Sequence, residues 1–148
     1  MSMSKLGIVE PSVKDYPELT DVWEASVRAT HHFLREEDIQ FFKPLILNEY
    51  LKAVRLHCVK DASGEINGFI GTLDNAIEML FIRPSARGKG IGRALAEFAI
   101  NNENCIKVDV NEENEQAVGF YKKLGFKTTG RSEKDGFGKP YPLLHMEL

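Results

Sequence analysis

Between residues 13 and 27 the apolar side chains Val13, Tyr16, Leu19, Val22, Trp23 and Val27 recur every three or four positions, which lays them along one face of a helix. Ser12, with Asp15 three residues later, has the form of a capping box at its start. A second helical stretch is expected over residues 36–53, with Pro44 as a break or kink. Between the two stands Thr30-His31-His32-Phe33-Leu34. The pattern then changes. Residues 54–60 and 66–73 are apolar runs around Asp61-Ala62-Ser63-Gly64-Glu65, the signature of a β-hairpin. Residues 76–82 (AIEMLFI) are almost continuously apolar, as in a strand covered on both faces, and Pro84 ends them. A helix over 90–102, a strand over 106–110, a helix over 114–124 and strands over 126–131 and 143–148 follow. With a short strand over 7–10 the order is β-α-α-β-β-β-α-β-α-β-β, a mixed α/β layer fold.

No linker, low-complexity run or internal repeat divides the 148 residues, so residues 1–148 read as a single domain long enough to bury a core. The net charge of -3 speaks against a fold-wide attraction to nucleic acid. No apolar run approaches the roughly 20 residues that cross a bilayer, and no membrane association is expected. The stretch MSMSKLGIVEPS carries no apolar leader segment, so a cytoplasmic protein without a signal peptide is expected. Cys58 and Cys105 lie far apart, and neither has a second cysteine at metal-ligand spacing. Both read as buried packing in a reducing compartment, Cys58 sharing a strand face with Leu56, and no metal site is expected.

The chemistry concentrates at Ile82-Arg83-Pro84-Ser85-Ala86-Arg87-Gly88-Lys89-Gly90-Ile91-Gly92-Arg93. This segment joins a strand to a helix, and a helix N-terminus offers unpaired N–H groups and partial positive charge suited to a phosphate or pyrophosphate. Arg87, Lys89 and Arg93 add mobile charge beside it. Gly88, Gly90 and Gly92 stand two apart, which is neither the G-x-G-x-x-G dinucleotide fingerprint nor the spacing of a P-loop. On these residues alone, a tight turn with a solvated basic rim is the competing explanation.

Arg87-x-x-Gly90-x-Gly92 resembles the acetyl-CoA pyrophosphate loop of the GNAT superfamily of N-acetyltransferases. About 20 residues on, Val110-Asn111-x-x-Asn114-x-x-Ala117-x-x-Phe120-Tyr121-x-x-Leu124-Gly125-Phe126 is similar to that superfamily's second cofactor segment. The resemblance covers nearly the whole chain and is weakest over residues 11–55. It implies a mixed, mostly antiparallel central sheet flanked by helices, with a splayed V-shaped cleft between the fourth and fifth strands. It implies acetyl-CoA as cofactor and CoA as product. The pantetheine arm would run along the backbone of Met79, Leu80, Phe81 and Ile82. The pyrophosphate would lie on Arg87, Gly88, Lys89, Gly90, Ile91 and Gly92 with Arg93 beside it, and Asn114, Ala117, Phe120 and Tyr121 would contact the cofactor from the next helix. Thr30, His31, His32 and Phe33 would border the acceptor site; read alone, two adjacent histidines at a helix end are surface or capping residues, and no third ligand stands at metal spacing. Arg83 departs from the superfamily, where an acidic residue often precedes that proline. The acceptor stays open between a small-molecule amine and a peptide or protein amine, and the assembly between monomer and homodimer.

An amine that attacks a thioester must be neutral, and it needs a polarised carbonyl and a stabilised leaving thiolate. At pH 7 a lysine amine with pKa near ~10.4 is neutral about once in ~2,500 molecules, and an α-amine near ~8 about one time in ten. A lysine-type acceptor therefore needs a general base far more. A backbone N–H near Leu80 would polarise the carbonyl. Tyr121 would assist the thiolate; its phenol is about 1.5 pK units less acidic than a thiol, which favours concerted transfer or a hydrogen bond over prior proton transfer. Otherwise Tyr121 is a core aromatic beside Phe120. Glu78, the one charged residue of its strand, is the candidate base, and burial would raise its pKa. Its alternatives are a solvent-facing edge glutamate, with a histidine or a water chain doing the work. Glu36, Glu37 and Asp38 either favour a cationic acceptor or form a solvated helix start. Lys122 and Lys123 either meet the cofactor's 3′-phosphate or are surface lysines; His57 and His145 are assigned no role. A non-catalytic module that senses acetyl-CoA would need neither Tyr121 nor Glu78, and another nucleotide-binding α/β protein is the third possibility.

Overall fold

The computed structural model describes residues 7–148. The leader-free reading of the N-terminus falls largely on residues 1–6, outside the described residues. The elements run β1 (Ile8–Val9), α1 (Tyr16–Thr30), α2 (Glu36–Leu45), α3 (Leu51–Ala53), β2 (Arg55–Lys60), β3 (Ile66–Leu73), β4 (Ala76–Ile82), α4 (Ile91–Asn102), β5 (Lys107–Asn111), α5 (Glu115–Lys123), β6 (Lys127–Ser132) and β7 (Leu143–Glu147). Helix α1 buries Leu19, Val22, Trp23 and Val27, the stripe read from the periodicity. Val13 falls off that stripe and is exposed, because residues 13–15 form a separate turn before the helix. Pro44 does not end the second helical stretch. It has no N–H to bond back, and a π-helical turn at Ile46–Tyr50 carries the chain past it into α3.

Among the described residues, seven strands form one sheet in the order β1-β2-β3-β4-β5-β7-β6. Every neighbouring pair is antiparallel except β4 and β5, which run parallel. That parallel pair is short. It holds register only at Ala76 with Lys107 and Ile77 with Val108, so the rest of β4 has no strand on that edge. On its other edge β4 pairs with β3 through Thr72–Ile77 and then Gly71–Met79, which leaves Glu78 as the extra residue of a bulge. The bulge breaks the period of two. Ile77 packs under α4 and α5 with Leu95, Val108, Tyr121 and Phe126, whereas Met79 packs on the opposite side with Leu19, Val22, Trp23 and Phe69. The uniform double-sided burial expected of residues 76–82 therefore fails at Glu78, which is exposed.

Two cores thus sandwich the sheet, one beneath α4 and α5 and one beneath α1 and α2. Cys58 belongs to the second with Leu56, Cys105 to the first; both are free and fully buried, and burial pushes each thiol up to about 11. Among the described residues, no helix is long and apolar enough to cross a membrane.

Candidate active site

Strand β4 leaves the sheet at Ile82 and reaches α4 through a short turn at Pro84–Ala86. Arg83 ties the exit down: its N–H bonds the Asn67 carbonyl at 2.7 Å, and its guanidinium donates to the Ile66 carbonyl at 3.1 Å. Gly88 and Gly90 then take φ of +79° and +82°, and a Cβ at either would meet nothing within 4 Å. Left-handed backbone, not crowding, asks for glycine at both. Gly92 differs, since its Cβ would make only ordinary contacts with Ile82 and Phe120 at 3.6 to 3.8 Å. Among the described residues, no side chain caps α4. The N–H groups of its first turn stay free beside Arg87 and Arg93, a ready seat for an anion.

That seat opens into a cavity of about 320 Å³. Leu80, Phe81 and Ile82 line it from β4, Arg87, Gly88, Gly90, Ile91, Gly92 and Arg93 from the turn and α4, and Asn114, Ala117, Phe120 and Tyr121 from α5. The backbone of β4 beyond Ile77, free on this edge, runs beside it. Of the expected cofactor residues, Met79 and Lys89 lie off the lining: the bulge sends the Met79 side chain to the other face, and Lys89 is exposed. Asn114 caps α5, its side-chain oxygen accepting from the Ala117 N–H at 3.2 Å. Tyr121 is 6% exposed, edge-on to Phe120 and Phe126, and burial alone drives its phenol pKa well above the ordinary value.

A second cavity, also of about 320 Å³, lies on the α1–α2 side. Trp23, Phe42, Tyr50, Phe81, Phe137 and Tyr141 make it aromatic, and Glu78 and Asp135 give it two carboxylates. Partial desolvation, with the Asp109 and Asp74 carboxylates nearby, holds the Glu78 carboxyl above the usual range. The loop between β6 and β7 closes one wall. Phe137 packs edge-on against Phe41 and Phe42 at 5.6 and 5.4 Å between ring centres. Asp38 anchors the loop: it is 2% exposed, accepts from the Tyr141 hydroxyl and pairs with Lys139 at 2.8 Å. Glu36 is bound by Arg28 and Glu37 by Arg35. The acidic run is therefore neither a solvated helix start throughout nor an open acceptor lure; its third member is a buried anchor. Sequence reasoning missed Asp135, Phe137 and Tyr141, whose one local trace is the pair of aromatics within the glycine-rich stretch Asp135-Gly136-Phe137-Gly138-Lys139-Pro140-Tyr141.

The two cavities share His31 and Phe81. Thr30 lines the first only, His32 is exposed and lines neither, and Phe33 sits behind, 5.2 Å from the His31 ring and 6.0 Å from Tyr141. His31 Nδ1 lies 2.7 Å from the Thr30 hydroxyl, which itself donates to the Ser26 carbonyl at 2.7 Å. A hydroxyl has one proton to give, so Thr30 accepts from Nδ1–H and the Nε2 lone pair is left free to accept from the Asn114 amide, 3.4 Å away. Burial, Arg87 and His32 lower the His31 pKa to about 4. Elsewhere, His145 bridges Asp109 and Ser132 at 2.7 Å each across β5, β7 and β6, and His57 is buried with an unpartnered Nδ1.

An uncapped helix start facing a phenol across one cavity, with an acidic aromatic cavity behind it, is an arrangement for acyl transfer, and the model of the GNAT acetyltransferase domain matches residues 29–147. The chain belongs to that family of N-acetyltransferases, whose members use acetyl-CoA. It is 44% identical over 129 residues to the peptidyl-lysine N-acetyltransferase YjaB of Escherichia coli strain K12, with 87% of each chain covered. The solution structure of apo-form YjaB from Escherichia coli matches it with a TM-score of 0.85 at 40% identity, over 95% of each chain. The PaiA N-acetyltransferase of Thermoplasma acidophilum, solved in complex with coenzyme A, shares the fold at a TM-score of 0.69 and 23% identity, covering 95% of this chain and 98% of that one.

Proposed function

We propose that this protein transfers the acetyl group of acetyl-CoA to the ε-amine of a lysine in a peptide or protein, by direct attack with both substrates bound. One observation carries this reading: two cavities of similar size, one at a bare helix N-terminus and one acidic and aromatic, meet at His31 and Phe81. The residues present fit the donor. The free N–H groups from Gly90 to Arg93 and the Arg87 guanidinium suit a pyrophosphate, and the unpaired edge of β4 near Leu80 to Ile82 offers backbone groups to an amide-bearing arm. When bound, acetyl-CoA supplies an activated thioester.

The second cavity fits a long alkyl chain ending in a cation. Its aromatic walls cover the methylenes, and Glu78 and Asp135 attract the ammonium. Lysine amines are almost wholly protonated near neutral pH, so one group must take a proton before attack. Glu78, with its raised pKa, performs this step from the acceptor side. Tyr121 donates a hydrogen bond to the departing sulfur. Its raised pKa makes it a poorer acid than a free phenol, so it stabilises the developing thiolate without handing over its proton beforehand. The name of the YjaB relative, a peptidyl-lysine N-acetyltransferase, agrees with a lysine acceptor. Two free, buried cysteines agree with a cytoplasmic enzyme.

Calorimetric titration of acetyl-CoA into wild type and Gly90→Glu, followed by mass spectrometry of lysine peptides incubated with both, tests the proposal. Wild type should bind and add about 42 Da to lysine, the mass of an acetyl group less the hydrogen it replaces, and the variant should do neither. Binding without acetylation of any amine would leave a CoA-responsive module instead.

A further inference from the structure

We propose that His31 accepts the proton released by the attacking nitrogen during acyl transfer. The inference deepens the acetyl-CoA-dependent reading and rests on it.

Two protons have to leave a lysine nitrogen. The first leaves before attack and makes the amine a nucleophile. The second becomes acidic only as the nitrogen commits its lone pair to carbon, at the meeting point of donor and acceptor. Glu78 lines the acceptor cavity alone and Tyr121 the donor cavity alone, so neither stands at that point. His31 lines both.

Its hydrogen bonds orient it for the task. The Ser26 carbonyl fixes the Thr30 hydroxyl, Thr30 fixes the proton on Nδ1, and Nε2 is left with its lone pair. The Asn114 amide reaches that nitrogen at 3.4 Å, a long contact that a stronger donor such as a reacting N–H can replace. The chain of bonds runs from the last turn of α1 to the cap of α5, so the ring is held from both sides of the opening between β4 and β5.

The step balances. The nitrogen–carbon bond forms and the carbon–sulfur bond breaks. The electron pair leaves on sulfur, which accepts a hydrogen bond from Tyr121, and the proton passes from nitrogen to His31 Nε2.

The charges around His31 set when it can act. Arg87, Arg93 and Tyr121 share the donor cavity with it, Glu78, Asp135, Tyr50 and Tyr141 share the acceptor cavity, and His32 adjoins it in the chain. Burial first, with Arg87 and His32 adding repulsion, keeps the imidazole neutral throughout the physiological range. An anion seated at Arg87 cancels the Arg87 part of that depression and leaves the burial part, so His31 is a stronger proton acceptor when the donor's phosphates are in place than in the free protein.

Three readouts test the role. Imidazole nitrogen NMR should show the Nδ1–H tautomer in the free protein, and its titration midpoint should move up when CoA is added. His31→Gln should lower kcat by about 100-fold, equally for lysine and α-amine acceptors, while the CoA Kd from calorimetry stays within about threefold. His31→Ala should regain rate on addition of free imidazole. A folded His31→Gln protein that binds CoA and keeps its rate overturns the role of His31 alone. Wild type that fails to bind CoA overturns the donor reading and this inference together.

Discussion

The hydroxyl of Tyr141 donates to the carboxylate of Asp38, tying the loop between β6 and β7 to the first turn of α2. The two residues are 103 positions apart, and the bond they make closes one side of the acidic aromatic cavity. Lys139 and Arg35 meet the same carboxylate at 2.8 and 3.4 Å, so a buried anion has three donors around it. Lys139 also stands 4.6 Å above the Phe41 ring, which fastens the loop to the helix a second time.

Loosening that anchor should act on the acceptor and spare the donor. Tyr141→Phe removes one charge-assisted hydrogen bond and should lower stability by about 2 kcal/mol in a denaturant melt. It should raise KM for a lysine peptide about tenfold as the Phe137 wall moves, while the CoA Kd stays unchanged. The Asp38 carboxyl is held below its ordinary pKa by Lys139 and Tyr141. A depressed carboxylate stabilises the fold above its unfolded-state pKa and loses that contribution as pH falls through the folded one, so the anchor weakens only below about pH 4.

The two glycines at the start of α4 should respond differently to alanine. Gly90 sits at φ +82°, where an L side chain is strained, and Gly90→Ala should cost about 1 kcal/mol and weaken CoA binding. Gly92 has helical backbone and room for a methyl at 3.6 Å from Ile82. Gly92→Ala should therefore hold or raise stability, by up to about 1 kcal/mol. Thermal melts of both variants check the contrast.

Much of the first cavity's lining was legible because it is local. Arg87, Gly90 and Gly92 define a turn and a helix start within six residues, and the order of elements around them fixes which strand and which helix face it. The second cavity is assembled from Trp23, Phe42, Glu78, Phe137 and Tyr141, which belong to four separate segments. No spacing along the chain links Asp38 to Tyr141. The bulge at Glu78 was equally hidden: AIEMLFI reads as an unbroken apolar strand, and only the pairing with Gly71 and Thr72 shows that Ile77 and Met79 point into different cores. His31 carried a signal in Thr30-His31-His32, but which of the two imidazoles turns inward depends on where α1 ends, and that is set by packing.

Stability should rise with pH across the range where His31 titrates only in the unfolded chain. Its folded pKa is lowered to about 4 from an unfolded value of 6.5. Between those values the unfolded chain binds the extra proton, so the folded state loses stability as pH falls from 6.5 towards 4. From pH 7 down to pH 5 the loss from this one group is about 2 kcal/mol. Chemical denaturation at both pH values should show that drop in wild type and a markedly smaller one in His31→Gln.

Glu78 gives a prediction that depends on the acceptor. If its carboxylate takes the first proton from the arriving ammonium, its removal should matter in proportion to how rarely the amine is neutral. Glu78→Gln should lower kcat/KM by about 100-fold for a lysine peptide near pH 7 and by less than about tenfold for an acceptor whose amine has a pKa near ~8. Raising the pH should narrow the gap, because hydroxide then supplies neutral lysine without help. In wild type the rate should fall as pH drops through the Glu78 carboxyl, whose pKa lies above the ordinary glutamate value. An equal loss on both acceptors at every pH would instead assign Glu78 to holding the ammonium in place, since charge recognition by Glu78 and Asp135 does not depend on how easily the amine gives up its proton.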